Sequence, residues 1–336
     1  MKRTFVVTGA VLAIASLATA CGSSSSSSSN TGSSTTGAKK QPHIAYLSFA
    51  VANSYDAPML AAAQTVAKDA GATLDVFDAN NDPKKQFAQL QNATASGKYN
   101  AIIVQPIFGT GLIPGVQDAI AKGIKVVNLD QILGPDLTTD QPQVKGQSGN
   151  VVFVPTDIGT KLGNLVVQAC TTNNLNPCNV GYLYDIKASA LDVAIKKAFD
   201  TATSGKVKVV AQGESFFTPA KGLAAAQNMM QAHPEMNLIV GSDQGIEGAV
   251  QGLGKKKMAL VGYGGSAAAM QGVGAGAWFG DVAQLPATEG RLAAQAAVKA
   301  VQNGTVTGGV DPVGDLPNGG VVTKDNVDQF TAEWPG

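Results

Sequence analysis

From residue 43 onward, short apolar runs alternate with longer segments in which apolar residues recur at helical spacing. The apolar runs of the first half predict strands at residues 43–49, 73–77, 101–104 and 125–129. The helices predicted between them cover residues 56–70, 83–96 and a segment that ends at residue 121. Short strands separated by helices indicate βαβ units, and hence a parallel sheet that is buried on both faces.

The alternation resumes after an irregular stretch, Gly134–Gly149, for which a hairpin is one interpretation. The second half predicts strands at residues 151–154, 180–184, 207–210, 238–240, 259–261, 277–282 and 320–322. It predicts helices at residues 158–171, 189–203, 219–232, 246–253, 288–302 and from 324 onward. Two polar segments, 155–157 and 284–286, are expected to cross between two α/β lobes.

The N-terminus has the pattern of an export signal. Lys2 and Arg3 precede an apolar run that ends in small residues immediately before Cys21, as in a bacterial lipobox. We expect a signal peptide at residues 1–20 and a lipid-anchored, serine-rich tether at residues 21–41. An ordinary signal peptide with an incidental cysteine remains the alternative.

Two further cysteines, Cys170 and Cys178, flank a polar turn. Because disulfides persist outside the cytosol, we expect these two to be joined, and two free thiols are the alternative. The sequence has two histidines, His43 and His233, and neither has metal-ligand spacing to a cysteine, so no metal site is predicted.

The charge and the motifs exclude several classes of protein. The formal net charge is +0, which gives no basic field for nucleic acid, and no cofactor is predicted. The sequence lacks the common phosphate-loop, zinc-protease and serine-hydrolase motifs, so no catalytic residues are assigned. The glycines of Gly272–Ala277 lead into a strand rather than a helix, and we expect a turn there rather than a dinucleotide site.

Polar and aromatic residues follow the predicted strands at their carboxyl ends, where ligands bind in α/β sheets. This set comprises Asn53, Tyr55, Asp130, Gln131, Asp185, Lys187, Phe216, Phe217, Ser242, Asp243 and Gln284. Carboxylates and amides suit hydroxyl groups, and aromatic faces suit the apolar side of a sugar ring. The sequence therefore predicts a small-molecule crevice between the lobes.

Several motifs resemble those of type 1 periplasmic sugar-binding proteins of the ribose group. They are Ile44-Ala with Asn53-Ser-Tyr, Val127-Asn-Leu-Asp130, Lys221-Gly-Leu, Gln227 to Pro234, Val261-Gly-Tyr-Gly-Gly265 and Ala283-Gln-Leu-Pro286. The resemblance implies an α/β fold of two Rossmann-like lobes with parallel sheets, joined by a multi-strand hinge. It places the lobes at residues 42–155 plus 285–308 and 156–284 plus 309–336. It implies ligand contacts from Asn53, Tyr55, Asp130, Phe217, Ser242 or Asp243, and Gln284.

Three departures from the family pattern concern the ligand. Gln131 and Val193 stand where the family has arginines, and Gly264 stands where it has an aspartate. Lys187 is the one nearby cation that could replace the arginines. A ribose site copied unchanged is therefore not expected.

The resemblance implies a monomeric binding lipoprotein that captures a sugar or polyol by hinge closure for an ABC transporter permease. Such a protein would be anchored to the outer face of the cytoplasmic membrane and would not be an enzyme. A sensor lipoprotein that presents a sugar or autoinducer to a receptor is the alternative. An extracytoplasmic enzyme lacks an acid–base constellation here, and a LacI-type regulator would need a DNA-binding segment in place of the export signal.

Overall fold

The computed structural model describes residues 40–336 and contains two six-stranded sheets with helices on both faces. The predicted signal peptide, Cys21 and all but the last two residues of the predicted tether lie outside the described residues. In the described part, no helix has the length and apolar character that a membrane span requires.

The first lobe is built on a parallel sheet with the strand order β11-β5-β4-β3-β1-β2. Its strands are β1 His43–Ser48, β2 Thr73–Asp78, β3 Ala101–Val104, β4 Lys125–Asp130, β5 Gly149–Val152 and β11 Gly309–Val310. Its helices are α1 Asp56–Asp69, α2 Pro83–Ala95, α3 Gly109–Ala121 and α9 Pro286–Asn303. As predicted, Asp82 caps α2, and its carboxylate accepts the backbone N–H groups of Lys84 and Lys85.

The second lobe repeats this arrangement with the strand order β12-β10-β9-β8-β6-β7. Its strands are β6 Asn179–Tyr184, β7 Lys208–Glu214, β8 Leu238–Ser242, β9 Ala259–Gly264, β10 Gly280–Ala283 and β12 Val321–Thr323. Its helices are α4 Pro155–Thr172, α5 Ala190–Thr203, α6 Pro219–Ala232, α7 Asp243–Leu253 and α8 Ala267–Gly274. All pairs are parallel except β10 and β12, which run antiparallel.

Both sheets are buried on both faces, as their continuous apolar strands require. Every residue of β3 is buried, and the apolar side chains of β1, β3 and β4 divide between two clusters, one on each face of the first sheet. The strands of the second sheet divide between two clusters in the same way. The predicted class, α/β with two parallel-sheet lobes, is confirmed.

Three segments cross between the lobes: the one between β5 and α4, the one between β10 and α9, and the one between β11 and β12. The predicted lobe boundary after residue 308 has to be moved, because β11 pairs with β5 and belongs to the first sheet. The stretch from 134 to 148 contains no strand, so the hairpin interpretation is wrong. Instead, the side chain of Gln143 hydrogen-bonds the backbone N–H and carbonyl of Asp136 and closes a loop.

The helix predicted from Lys324 is also wrong. The side chain of Asn326 accepts the N–H of Thr323 and donates to the carbonyl of Val321, which closes a tight turn after β12. A single 3₁₀ turn, Val327–Gln329, follows it. The predicted disulfide is present, and it joins Cys170 at the end of α4 to Cys178 just before β6.

Candidate functional site

A cavity lies between the two lobes, at the carboxyl ends of strands from both sheets. It contains about 510 Å³ of space not occupied by atoms, part of which is open to solvent. Its lining comprises Phe49, Asn53, Tyr55, Asp56, Gln105, Asp130, Gln131, Phe153, Leu191, Phe217, Ser242, Gln244, Tyr263, Gly264, Gln284 and Trp334.

Seven of the eleven strand-end residues that the sequence analysis singled out line this cavity. They are Asn53, Tyr55, Asp130, Gln131, Phe217, Ser242 and Gln284. They come from both lobes and from the crossing that precedes α9. The rule that ligand groups collect at strand carboxyl ends therefore locates seven of the sixteen lining residues.

Lys187 is not part of the cavity, and its prediction as a ligand residue has to be corrected. The Asp192 carboxylate accepts the backbone N–H groups of Asp185 and Ile186, which holds the loop after β6 in a tight turn. Lys187 is exposed, and its ammonium donates to Gln212 Oε1 at 2.8 Å. It therefore cannot replace the missing family arginines at the ligand.

Asp243 is likewise displaced from the predicted role. It is fully buried as the first residue of α7, and its Oδ2 accepts the N–H of Ser266 at 2.7 Å beneath the cavity wall. The next residue, Gln244, is the one that faces the first lobe, where its amide donates to Asn53 Oδ1 at 3.4 Å. These neighbouring residues of α7 therefore have different roles: the Asp243 carboxylate is a buried structural group, whereas the Gln244 amide lines the cavity.

Asp130 lies at the end of β4 in an unusual backbone conformation. Its φ is 68°, and a hydrogen bond from Gln131 N to Leu129 O closes a three-residue turn around it. Such a conformation is costly for most residues, although Asp and Asn tolerate it better than others. The turn directs the Asp130 carboxylate to the cavity edge.

Gln105 connects Asp130 to a second carboxylate. Its Oε1 accepts the backbone N–H of Phe49 at 3.0 Å, so its amide nitrogen has to face the other way. That nitrogen donates to Asp56 Oδ1 at 2.6 Å and to Asp130 Oδ2 at 3.0 Å. One rigid amide therefore positions two cavity carboxylates.

The first-lobe wall contains several acidic groups that are removed from water. Burial raises the pKa of Asp56 to about 8, with a further contribution from the charge of Asp130. Burial raises the pKa of Asp130 to about 7, against hydrogen bonds from Gln105 and Glu289 that favour its charged form. Burial, and then the charge of Asp130, raise the pKa of Glu289 well above its ordinary value. A protonated Glu289 beneath the cavity can thus donate to an ionised Asp130.

Gln284 lies at the crossing between β10 and α9. It is 5 % exposed, and its Nε2 has no hydrogen-bond partner within the described part of the chain. Because buried amides are rarely left unpaired, this donor is free for a ligand acceptor.

On the second-lobe side, Asp185 orders two cavity residues from below. Its carboxylate accepts the hydroxyl groups of Ser242 and Tyr263, and also that of Ser215. Burial, and then the nearby Asp192, raise the pKa of Asp185 to about 7. Asp185 is fully buried, so its role is to position Ser242 and Tyr263 rather than to reach a ligand.

The aromatic residues of the cavity bring the lobes into contact. Phe217 follows Phe216 after β7, and both have left-handed φ values of 53° and 51°, which are rare for bulky residues. This turn places the Phe217 ring 6.2 Å from that of Phe49, edge to face, while Phe216 is exposed. Asn53 also donates to the backbone carbonyl of Phe217 at 3.4 Å across the cleft.

The sequence interpretation missed several lining residues. Asp56 and Gln105 follow strands β1 and β3, so the strand-end rule could have found both. Gln244 required the helix register of α7, and Phe153 and Leu191 carry no polar signal. Trp334 is the third residue from the C-terminus, and nothing in the local sequence connects it to the cavity.

The structure shows what surrounds the three positions at which the sequence departs from the family pattern. None of the lining side chains named above is a lysine or arginine, and Val193 is exposed on the outer face of α5. Gly264 has no room for a side chain: a Cβ there would lie 2.8 Å from Trp334 Cζ2 and 2.9 Å from the carboxyl of Asp243. Within residues 40–336, no group of three or more potential metal-ligating side chains occurs.

Comparisons with known proteins agree with this architecture. The ribose import binding protein RbsB of Bacillus subtilis is 22% identical over 264 residues, which cover 78% of this chain and 82% of that protein. The D-allose-binding periplasmic protein of Escherichia coli is 28% identical over 251 residues, which cover 71% and 78%.

A solved ABC transporter solute-binding protein from Mycobacterium smegmatis, with bound glycerol, has the same fold. Its TM-score is 0.72 at 23% identity, and the match covers 88% of this chain and all of that one. The family model described as the periplasmic binding protein domain matches residues 44–305. That match includes strands from Ile44 of β1 to the end of β10 and all the lining residues except Trp334, and the chain belongs to the periplasmic binding protein domain family.

Proposed function

We propose that this protein is the extracytoplasmic solute-binding protein of an ABC importer and that it captures an uncharged sugar or polyol. The observation that carries the proposal is the cavity between the lobes. Its polar lining consists of amides, hydroxyls and two carboxylates, and no basic side chain lies among the lining residues. An anionic ligand would find no countercharge there, whereas hydroxyl groups would find both donors and acceptors.

Asp130 and Gln284 are proposed as the dominant polar contacts. A carboxylate in a partly dehydrated site accepts hydroxyl hydrogen bonds strongly, and the free Nε2 of Gln284 supplies a donor. Asn53, Gln131 and Ser242 are proposed to bind further hydroxyls, and the rings of Tyr55 and Phe217 to cover the carbon skeleton. The relatives are named for ribose and allose and the structural neighbour holds glycerol, all of them uncharged polyhydroxy compounds.

Capture is proposed to occur by hinge closure about the three crossing segments. Within the described residues, the contacts across the cleft are few: two hydrogen bonds of 3.4 Å, two hydrogen bonds from Thr288 to the Glu333 carboxylate at 2.8 and 2.6 Å, and the ring pairs Phe49–Phe217 and Tyr55–Trp334. Contacts of this kind can open and reform without loss of either core. A ligand that bonds to both lobes would stabilise the closed arrangement.

The expected export signal places the protein outside the cytoplasm, tethered through acylated Cys21 near its permease. Acyl chains provide membrane affinity through their buried methylene groups, and the tether leaves the lobes free to move. We predict that Cys21→Ser releases the protein from the membrane fraction while its thermal midpoint is unchanged. A variant that still sediments with membranes after a high-salt wash would contradict lipidation as the anchor.

The proposed ligand class is tested by a thermal-shift screen of purified protein against neutral sugars, polyols and sugar acids. The proposal predicts that at least one neutral sugar or polyol raises the thermal midpoint, because ligand that binds only the folded state stabilises it. The proposal would be wrong if only sugar acids, or none of these compounds, raised the midpoint.

A further inference from the structure

The C-terminal segment Phe330–Gly336 ends at the cavity. It lies beyond the residues matched by the family model, 44–305. Trp334, in this segment, is 4 % exposed and lines the cavity together with residues of both lobes. An aromatic side chain from this segment is thus part of the cavity wall.

Backbone hydrogen bonds attach the segment to the second lobe. The carbonyls of Trp334 and Pro335 accept the N–H groups of Ala267 and Ala268 at 2.9 and 3.1 Å. These N–H groups belong to the first turn of α8 and have no partner within that helix. The indole Nε1 donates to the carbonyl of Gly264 at 2.6 Å, which fixes the ring orientation.

The same segment also contacts the first lobe. The Glu333 carboxylate accepts both the N–H and the hydroxyl of Thr288, at 2.8 and 2.6 Å, at the start of α9. The residue that precedes this helix, Leu285, makes no side-chain cap, so Glu333 supplies the missing cap from a distant part of the chain. The indole itself meets the ring of Tyr55 edge to face, with 5.3 Å between ring centroids.

The indole can offer a ligand only its apolar surface. Its one polar hydrogen is used on Gly264, and indole has no other hydrogen-bonding group. The position of the ring depends on the absence of a side chain at Gly264, where a Cβ would lie 2.8 Å from Trp334 Cζ2. The ring therefore takes up cavity space next to β9.

From these contacts we infer that Trp334 is a ligand-contacting, specificity-determining residue, an apolar wall that packs on the carbon skeleton of the ligand and excludes larger sugars. The inference rests on the proposed function, because it concerns the same cavity. A buried aromatic wall favours a compact ligand with an exposed C–H face over an extended one. Removing the indole ring would weaken binding of the favoured ligand and make room for a larger one.

Calorimetry of full-length Cys21→Ser protein tests this with glycerol, D-ribose, D-allose, myo-inositol and, as an oversized probe, lactose. We expect Trp334→Ala to weaken binding of the tightest small ligand at least tenfold and to reduce the selectivity of the protein for that ligand over lactose. Trp334→Phe should have a smaller effect on both. Trp278→Phe is the matched control, since Trp278 is equally buried but lies in the core of the second lobe. It should lower the thermal midpoint and leave affinity within twofold.

Fluorescence provides a second readout, because Trp278 and Trp334 are the two tryptophans of the chain. In Trp278→Phe protein, emission comes from Trp334 alone and should change on ligand addition. If wild-type protein binds a small ligand but Trp334→Ala keeps its affinity and selectivity, the inference is wrong and the proposed function stands. If Trp334→Ala does not fold, two other results together would overturn the inference. These are an unaltered ligand affinity in Trp334→Phe and, in Trp278→Phe, a Trp334 emission that does not change on ligand addition. If wild-type protein binds neither these five compounds nor any neutral sugar or polyol of the thermal-shift screen, the proposed function fails and the inference falls with it.

Discussion

Three properties meet at Asp130: its backbone is left-handed, the pKa of its carboxyl group is raised, and its side chain lines the cavity. Left-handed conformations in non-glycine residues are concentrated at functional sites, since the surrounding structure has to hold them. Gln105, immediately after β3, and Glu289 in α9 supply that support. The carboxylate is therefore placed before any ligand arrives.

We predict that Asp130→Ala weakens binding of the best ligand from the screen by about 2 kcal/mol, or about thirtyfold. The loss arises because ligand hydroxyls would be left unpaired in a closed site. Because alanine tolerates a φ of 68° less well than asparagine, Asp130→Asn should also be measured, and we expect a smaller loss of affinity. Calorimetry gives both values.

Gln284→Ala should weaken the same ligand, since its free Nε2 faces the same cavity. Lys187→Ala is the control, because Lys187 binds Gln212 on the outside of the second lobe. Unchanged affinity in both the Asp130 and Gln284 variants, or a loss with Lys187→Ala, would contradict the assigned site.

Individual site residues were predictable where a strand end determined their position, and not where a turn or helix register did. Asp130 and Gln284 follow directly from the strand pattern. Asp243 is expected from the family pattern and Lys187 as the one nearby cation. In the structure, one residue of helix register buries Asp243, and a capped turn directs Lys187 outward. Sequence spacing does not determine either orientation.

At the scale of elements, the long periodic segments were predicted to within a few residues. The predicted α6, residues 219–232, has the bounds that the structure gives it, and β3 does too. Two short elements, α8 and β11, were missed. Helix α8 was not predicted, because its sequence Ala-Ala-Ala-Met-Gln-Gly-Val-Gly has almost no polar residue to define an amphipathic face. Strand β11 has two residues, too few for any periodic pattern.

The C-terminal segment shows the limit of local patterns most clearly. Its role depends on two helix starts, those of α8 and α9, that are far from it in sequence and come together only in the folded protein. Capping residues are usually sought immediately before a helix. Here Glu333 caps α9 from 45 residues away, and no sequence rule identifies such a partner.

At the scale of the whole molecule, the two lobes bury many acidic groups. Burial is the largest cause of the raised pKa of Asp56, to about 8, and of Asp130, Asp185 and Glu247, each to about 7. The folded protein therefore holds protons that the unfolded chain releases near pH 4. The stability that these groups contribute is fully present below that pH and is lost as pH rises from about 4 through 7 to 8.

We accordingly predict that the thermal midpoint of the unliganded protein is higher at pH 5 than at pH 8.5. The lowered pKa values of exposed Asp75 and Asp136 do not affect this comparison, because at pH 5 and above both carboxyls are largely ionised in the folded and in the unfolded chain. Calorimetric melting of wild-type protein and of Asp185→Asn provides the test, and the variant should show a weaker pH dependence. A midpoint that rises from pH 5 to pH 8.5 would contradict the burial of these carboxyls.

The central claim is that a small uncharged polyhydroxy ligand binds between the lobes and holds them together. Small-angle X-ray scattering of the Cys21→Ser protein, with and without the best ligand from the screen, tests it most directly. The account predicts a smaller radius of gyration at saturating ligand, and a weaker response in Asp130→Ala at the same ligand concentration. A scattering profile that is unchanged at a ligand concentration shown by calorimetry to be saturating would contradict capture by closure.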